Sequence, residues 1–138
     1  MSSPTPLPKE IHRSAQRGEL QKVVKWLRKG GSVDAFDSAL TADGRPSAYA
    51  LLHAAAAFGQ LEMVRELLKR GVNVDLQGSR GLTALSSAAR NGHLSILLLL
   101  VQHSADPDLQ DVDGHTALMH AADLGHEACV QALSLIHI

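Results

Sequence analysis

Aromatic residues are scarce in this chain of 138 residues, where Trp26, Phe36, Tyr49 and Phe58 are the complete set. A core with so few rings has to be filled by Ala, Leu and Val, which suits closely packed helices. Sequence-tolerant binding of single-stranded nucleic acid relies on aromatic stacking platforms. We therefore expect no nucleic-acid partner.

Cysteine is nearly absent, since Cys129 is the only one, and no intrachain disulfide can form. This cysteine usage predicts an intracellular, cytoplasmic protein. Cys129 occupies an apolar position of a helical pattern and is expected to be a buried structural thiol. The longest apolar run, residues 96–101, is too short to span a bilayer. Residues 1–8 contain no apolar run, so we predict neither a signal peptide nor a membrane partner.

Charge is close to balance overall, at −1, but it is unevenly distributed. Residues 1–37 hold seven Lys/Arg against four Asp/Glu, whereas residues 103–138 hold six acids and no Lys or Arg. We attribute this uneven distribution to drift on solvated outer faces; the alternative is a bipolar surface that orients a partner. The clearest basic stripe is assigned to a solvated helix face: Lys22, Lys25, Arg28 and Lys29.

Three glycines, Gly59, Gly92 and Gly125, lie 33 residues apart, and each ends a run of small residues. A fixed period with matching local chemistry indicates a repeat array. After each glycine, apolar residues follow the spacing of one helix face. A shorter helix precedes each glycine, with Thr83 and Thr116 as predicted N-caps.

Several motifs recur in register and resemble the ankyrin repeat. Residues 111–122, DVDGHTALMHAA, match the family pattern D-x-x-G-x-T-P-L-H-x-A-A, and residues 59–75, GQLEMVRELLKRGVNVD, match its second half. Ile11, His12, Ala15 and Gly18 form a degenerate first copy. The resemblance covers about residues 11–133 and implies an all-α solenoid of helix-turn-helix units with β-turn finger loops.

The repeat register predicts the following division of the chain, given by residue numbers: 1–8, a flexible N-terminus; 9–37, a degenerate first repeat; 38–47, an inserted finger loop; 48–77, a second repeat; 78–110, a third repeat; 111–138, an incomplete fourth repeat. The insertion either lengthens a binding loop or is simply tolerated. Leu133 to Ile138 resemble the translation of a sequencing-library adapter, so we expect the native chain to continue past Ala132. As it stands, this apolar end could self-associate.

Two departures from the family pattern bear on stability. Alanine replaces proline of the T-P-L-H motif in copies three and four. The histidine of that motif is kept as His12 and His53 but becomes Ser86 and Met119. We expect part of the Thr–His turn network to be missing in copies three and four.

Eight histidines raise the question of a metal site, and His115, His120 and His126 cluster in the fourth copy. His115 and His120 are five residues apart, which would place them about 140° apart around one helix. On that spacing we expect no metal site. No glycine-rich phosphate loop or nucleophile elbow is present, so we expect no cofactor and no catalytic residue.

The resemblance implies that the finger-loop tips and the first helix of each copy form a concave binding surface. Mapped by register, the predicted partner-binding residues are Arg13, Arg17, Phe58, Ser79, Arg80, Ser87, Arg90, Asn91, Val112, Asp113, His115, His120 and Asp123. The same register maps Gln16, Ala54, Ala57, Leu82 and Leu124 to this face. An exposed Phe58 among arginines would have the character of an interface hot spot, although Phe58 could also pack inside.

These patterns predict a non-catalytic protein–protein interaction module, or adaptor, that binds a protein partner on its concave face. The alternative is that the chain is the N-terminal targeting array of a larger enzyme or regulatory protein.

Overall fold

Eight α-helices, arranged as four successive pairs, make up the part of the chain that the computed structural model describes, residues 6–37 and 48–136. The first helices of the pairs, called inner helices below, are α1 (Lys9–Arg17), α3 (Leu51–Ala57), α5 (Ala84–Arg90) and α7 (Ala117–Asp123). The outer helices are α2 (Leu20–Arg28), α4 (Leu61–Lys69), α6 (Leu94–Gln102) and α8 (Glu127–Ile136). Inner helices pack on inner helices and α4, α6 and α8 pack in series, which gives the predicted all-α solenoid. The predicted insertion, residues 38–47, lies outside the described residues.

Glycine joins the inner helix to the outer helix of each pair. Gly59 has φ of 73° and Gly92 has the same value, in the left-handed region that L side chains rarely adopt. The chain then reverses within two residues, and the N–H of Gln60 bonds the carbonyl of Ala55 at 2.9 Å. The 33-residue glycine period therefore reflects one tight turn repeated in each copy.

Both predicted N-caps are present, and a glycine ends α4. The Thr83 side chain accepts a hydrogen bond from the N–H of Ser86, and Thr116 accepts one from Met119, so both are N-caps. Gly71, with φ of 78°, ends α4: its N–H bonds the Leu68 carbonyl at 3.2 Å. The threonine hydroxyls and the glycine turn thus satisfy backbone N–H and carbonyl groups that a helix leaves without partners at its ends.

Small residues fill the layer between neighbouring inner helices. Ala55, Ala88 and Ala121 occupy equivalent positions and are fully buried. Without bulk at these positions the backbones approach closely, and branched side chains from the outer helices complete one continuous core. Cys129 belongs to this core, as predicted, and burial raises the pKa of its thiol.

The histidine of the turn network is present in the second copy, where Ala50 takes the N-cap position of threonine, and serine replaces this histidine in the third. His53 accepts the N–H of Ala50 on Nδ1 at 3.0 Å and donates from Nε2 to the Leu76 carbonyl at 2.8 Å. In the third copy the Ser86 hydroxyl lies 3.0 Å from Thr83 Oγ1, and both groups are buried. The histidine bonds are missing there as expected, but the shorter serine keeps the cap occupied.

Candidate partner-binding surface

Two finger loops, residues 78–82 and 111–115, carry five of the predicted site residues. Each loop folds back on itself: the N–H of Gly78 bonds the Leu82 carbonyl at 2.8 Å, and Asp111 repeats this with His115 at 3.0 Å. A further bond, from the N–H of Val112 to the Arg80 carbonyl at 2.9 Å, joins the two loops. The finger tips are therefore one connected strip.

Arg80 is the most constrained residue of this strip. Its φ of 60° lies in the left-handed region, where a side chain with a Cβ is strained. Its guanidinium lies 2.8 Å from the Asp113 carboxylate of the next loop, and this hydrogen bond raises the pKa of Arg80. Backbone strain retained beneath an exposed charged side chain is common at functional sites.

The C-terminal ends of the inner helices form a second row. Phe58, Asn91 and Leu124 are the C-caps of α3, α5 and α7 and repeat at intervals of 33 residues. Phe58 is 57% exposed and Leu124 55% exposed, so neither belongs to the core. Arg90 precedes Asn91 and is also exposed. This row therefore presents alternating apolar and polar side chains at the protein surface.

Finger loops and inner helices enclose a concavity of about 410 Å³, called the finger concavity below. Its lining comprises Arg80, Leu82, Arg90, Asp111, Asp113, His115, His120, Asp123 and Leu124. Six of the thirteen predicted site residues are thus brought together in one place: Arg80, Arg90, Asp113, His115, His120 and Asp123. Leu82 and Leu124, mapped by register, add apolar walls.

Other predicted residues lie elsewhere. Arg13 and Arg17 line a separate concavity of about 480 Å³ between the first two helices, together with Trp26. Ser87 is only 7% exposed and packs among the inner helices, so its side chain presents little surface. Ser79 and Val112 lie at the finger tips, outside the finger concavity.

The expected separation of His115 and His120 is wrong. His115 lies in the finger loop before the N-cap of α7, so the angle around a helix does not apply to it. The two rings meet edge to face with centroids 5.5 Å apart, and Asp111 lies against both. Asp111 is not among the predicted site residues, yet its carboxylate accepts the backbone N–H groups of Asp113 and His115 and so fixes the loop.

The Asp111 carboxylate holds the finger loop of the fourth copy, residues 111–115, in place. Burial raises the pKa of its carboxyl group, but the hydrogen bonds from the His115 N–H, the His120 ring and the Asp113 N–H outweigh this and lower the pKa. The charged form is therefore the one that the fold stabilises. An ionised carboxylate between two imidazoles is a group that can bind a cation or a hydrogen-bond donor.

In the described residues, every helix falls short of the length and apolar content needed to cross a membrane. A comparison with curated proteins found no match to the chain. The family model described as ankyrin repeats (3 copies) matches residues 11–111 and, in an overlapping second match, residues 52–137. Ankyrin repeats are generally protein–protein interaction modules and are typically non-catalytic. With these matches and the helix-pair solenoid described above, the chain belongs to the ankyrin repeat family.

Proposed function

We propose that this chain is a non-catalytic adaptor that binds a protein partner through the finger concavity and the adjoining ends of the inner helices. The observation that supports the proposal best is the clustering of six register-mapped residues around one concavity of about 410 Å³. Shape-complementary recognition of a protein needs such a preformed surface on rigid elements and no cofactor.

The chemistry of the surface fits a protein partner. Phe58 and Leu124 are large apolar side chains that remain exposed at equivalent helix ends. Arg90 lies in the row beside them and is also exposed. Aromatic and Arg residues dominate interface hot spots, where a partner's surface excludes water from them.

The backbone beneath this surface is held by contacts between copies, which favours binding with little rearrangement. His93 Nε2 donates to the Ala57 carbonyl at 3.1 Å, and His126 Nε2 donates to the Arg90 carbonyl at 2.9 Å. The ends of α3 and α5 are thereby fixed against the next copy. Because ordering a surface on binding reduces affinity, a surface that is already ordered binds more tightly. We place this interaction in the cytoplasm, on the ground of the cysteine usage.

Affinity capture with quantitative mass spectrometry tests the proposal. The bait variants are Phe58→Ala/Arg90→Ala and a control, Arg65→Ala/Leu98→Ala, which also removes one exposed apolar residue and one arginine. Arg65 and Leu98 lie on outer helices and are exposed. A genuine partner should be depleted by the first variant and retained by the control, and its purified form should bind the first variant at least about 10-fold more weakly. Equal capture by both variants would reject this surface.

A further inference from the structure

The Asp111 carboxylate is held in one orientation by the finger loop. Its Oδ1 accepts the N–H of Asp113 at 2.9 Å and the N–H of His115 at 3.0 Å. Its Oδ2 is left facing two imidazoles: His120 Nε2 lies at 2.8 Å and His115 Nδ1 at 3.9 Å. Hydrogen bonds that orient a carboxylate in this way accompany metal ligands in proteins and raise affinity for the ion.

We propose that Asp111, His115 and His120 bind one divalent transition-metal ion of the Zn²⁺ class, through Oδ2 and one ring nitrogen of each histidine. The three ligand atoms lie within 4.8 Å of one another. Zinc binds such atoms at about 2.0–2.1 Å, so two ligands at a tetrahedral angle are separated by about 3.4 Å. The distances of 2.8 and 3.9 Å to Asp111 Oδ2 lie on either side of this value. Small side-chain rotations would admit the ion.

The hydrogen bond within this cluster engages only Asp111 and His120 and leaves out His115. Asp111 and His120 satisfy each other at 2.8 Å, but 3.9 Å is too long for a hydrogen bond from His115 Nδ1. Within residues 6–37 and 48–136, no hydrogen bond to the His115 ring is found. A metal ion is the partner that engages all three groups at once. His115 is partly exposed, which gives the ion a path of entry.

The surroundings are compatible with a cation of this class. The finger concavity holds three carboxylates, on Asp111, Asp113 and Asp123, against two guanidinium groups, on Arg80 and Arg90. Arg80 is already paired with Asp113 at 2.8 Å. Two imidazoles and one carboxylate favour zinc-like ions, whereas Mg²⁺ and Ca²⁺ take oxygen ligands. Three protein ligands would leave a fourth position open to the concavity, for water or a partner's side chain.

Calorimetric titration of the tag-free, EDTA-treated chain with ZnCl₂ tests the site. We expect one ion bound per chain, visible absorption of the Co²⁺-substituted form, and no competition from millimolar Mg²⁺. His115→Gln is the principal variant, because the described residues give its ring no hydrogen bond to lose. It should weaken Zn²⁺ binding at least about 10-fold, since even residues behind the ligands contribute 10–100-fold. Asp111→Asn, which keeps an oxygen for the two backbone N–H groups, should do the same.

The matched control is His103→Gln, a histidine at the end of α6 and away from the finger concavity. It should bind Zn²⁺ as the unmodified chain does, with unchanged helicity by circular dichroism for all variants. The proposal is overturned if Zn²⁺ does not bind, or if His115→Gln and His103→Gln bind it equally. Binding that Mg²⁺ displaces would also overturn it, because it would indicate a nonspecific acidic surface.

Discussion

His93 Nε2 donates a hydrogen bond to the Ala57 carbonyl at 3.1 Å, and the same ring lies directly over Gly59. A Cβ at Gly59 would lie 2.8 Å from His93 Cε1. The glycine of one copy and the histidine of the next therefore form one contact, repeated by Gly92 and His126. The 33-residue period thus reflects packing between copies as well as the turn within each copy.

Gly59→Ala should destabilise the chain more than Gly71→Ala. Both glycines have a positive φ, of 73° and 78°, so alanine costs about 1–2 kcal/mol of backbone strain at either position. Nothing lies within 4 Å of a Cβ at Gly71, whereas His93 must move aside at Gly59. We expect the free energy of unfolding, measured in urea, to be at least about 1 kcal/mol lower for Gly59→Ala than for Gly71→Ala.

Equal losses of unfolding free energy for Gly59→Ala and Gly71→Ala would mean that the His93 ring moves aside at no cost. In that case the hydrogen bond to Ala57 would contribute nothing to coupling between copies. Gly59→Ala/His93→Ala separates the terms, because removing the ring should leave only the backbone strain.

Thr83→Ala should cost more stability than Thr116→Ala. The Thr83 hydroxyl is buried, caps the N–H of Ser86 at 3.1 Å and bonds the Ser86 hydroxyl at 3.0 Å. Its removal loses a cap, worth about 1 kcal/mol, and leaves a buried hydroxyl unpaired, at about 1–3 kcal/mol. Thr116 caps at 3.4 Å in a more exposed position, so its loss should cost about 0.5–1 kcal/mol. Urea unfolding of both variants provides the comparison, and a larger loss for Thr116→Ala would contradict it.

The sequence predicted the elements whose chemistry is local. Gly59 and Gly92 of the 33-residue period form the same tight turn, and Thr83 and Thr116 cap helices as predicted, because each feature depends on a few adjacent residues. The altered network at Ser86 was only half predicted. The loss of the histidine hydrogen bonds follows directly from the replacement of histidine by Ser86. The hydrogen bond between the Ser86 and Thr83 hydroxyl groups, by contrast, depends on how the side chains are placed within a buried turn.

The candidate site was less accessible to sequence reasoning. Register alone placed Arg90 and Asp123 in equivalent positions, and both line the finger concavity. Ser87 occupies an equally plausible register position but is buried, because burial depends on how tightly the neighbouring copies pack. The meeting of His115 and His120 was missed because a helix angle was applied to His115, which the predicted N-cap at Thr116 already places before α7. The position of the His115 ring depends instead on the finger loop, which the hydrogen bonds to Asp111 fix.

Acidification should destabilise the fold partly through His53. Burial lowers the pKa of this ring, outweighing the bond to the Leu76 carbonyl, which raises it. A histidine in the unfolded chain titrates near pH 6.5. Because the folded pKa is the lower one, the unfolded chain binds more protons as pH falls below about 6.5, and stability decreases there.

This decrease should amount to at most about 1.4 kcal/mol per pH unit for one such group. Burial also lowers the pKa of His12, which adds to the slope. Urea unfolding between pH 7.5 and 5 measures it. The free energy of unfolding of His53→Gln should be lower at pH 7.5, because its hydrogen bonds are lost, and should fall less steeply as the pH decreases. Parallel profiles for the two chains would show that His53 does not titrate on unfolding.

Phe58→Ala should leave the fold essentially unchanged. The side chain is 57% exposed and lies at the C-cap of α3, outside the buried cluster. Surface substitutions of this kind change the free energy of unfolding by no more than about 0.5 kcal/mol. Leu52→Ala, a fully buried neighbour on the same helix, should cost about 2–5 kcal/mol. A large loss for Phe58→Ala in thermal or urea unfolding would place this ring in the core and remove it from the proposed surface.

Arg80→Gly and Arg80→Ala should differ in stability although both remove the same ion pair. The pair with Asp113 spans 2.8 Å between exposed side chains, so its loss affects both variants equally and weakly. Only glycine relieves the strain at φ of 60°. We therefore expect Arg80→Gly to unfold at a higher urea concentration than Arg80→Ala, and close to the unmodified chain. If partner binding falls for both variants alike, the strained backbone serves to present the guanidinium; a reversed order of stability would mean that the left-handed turn is not retained in solution.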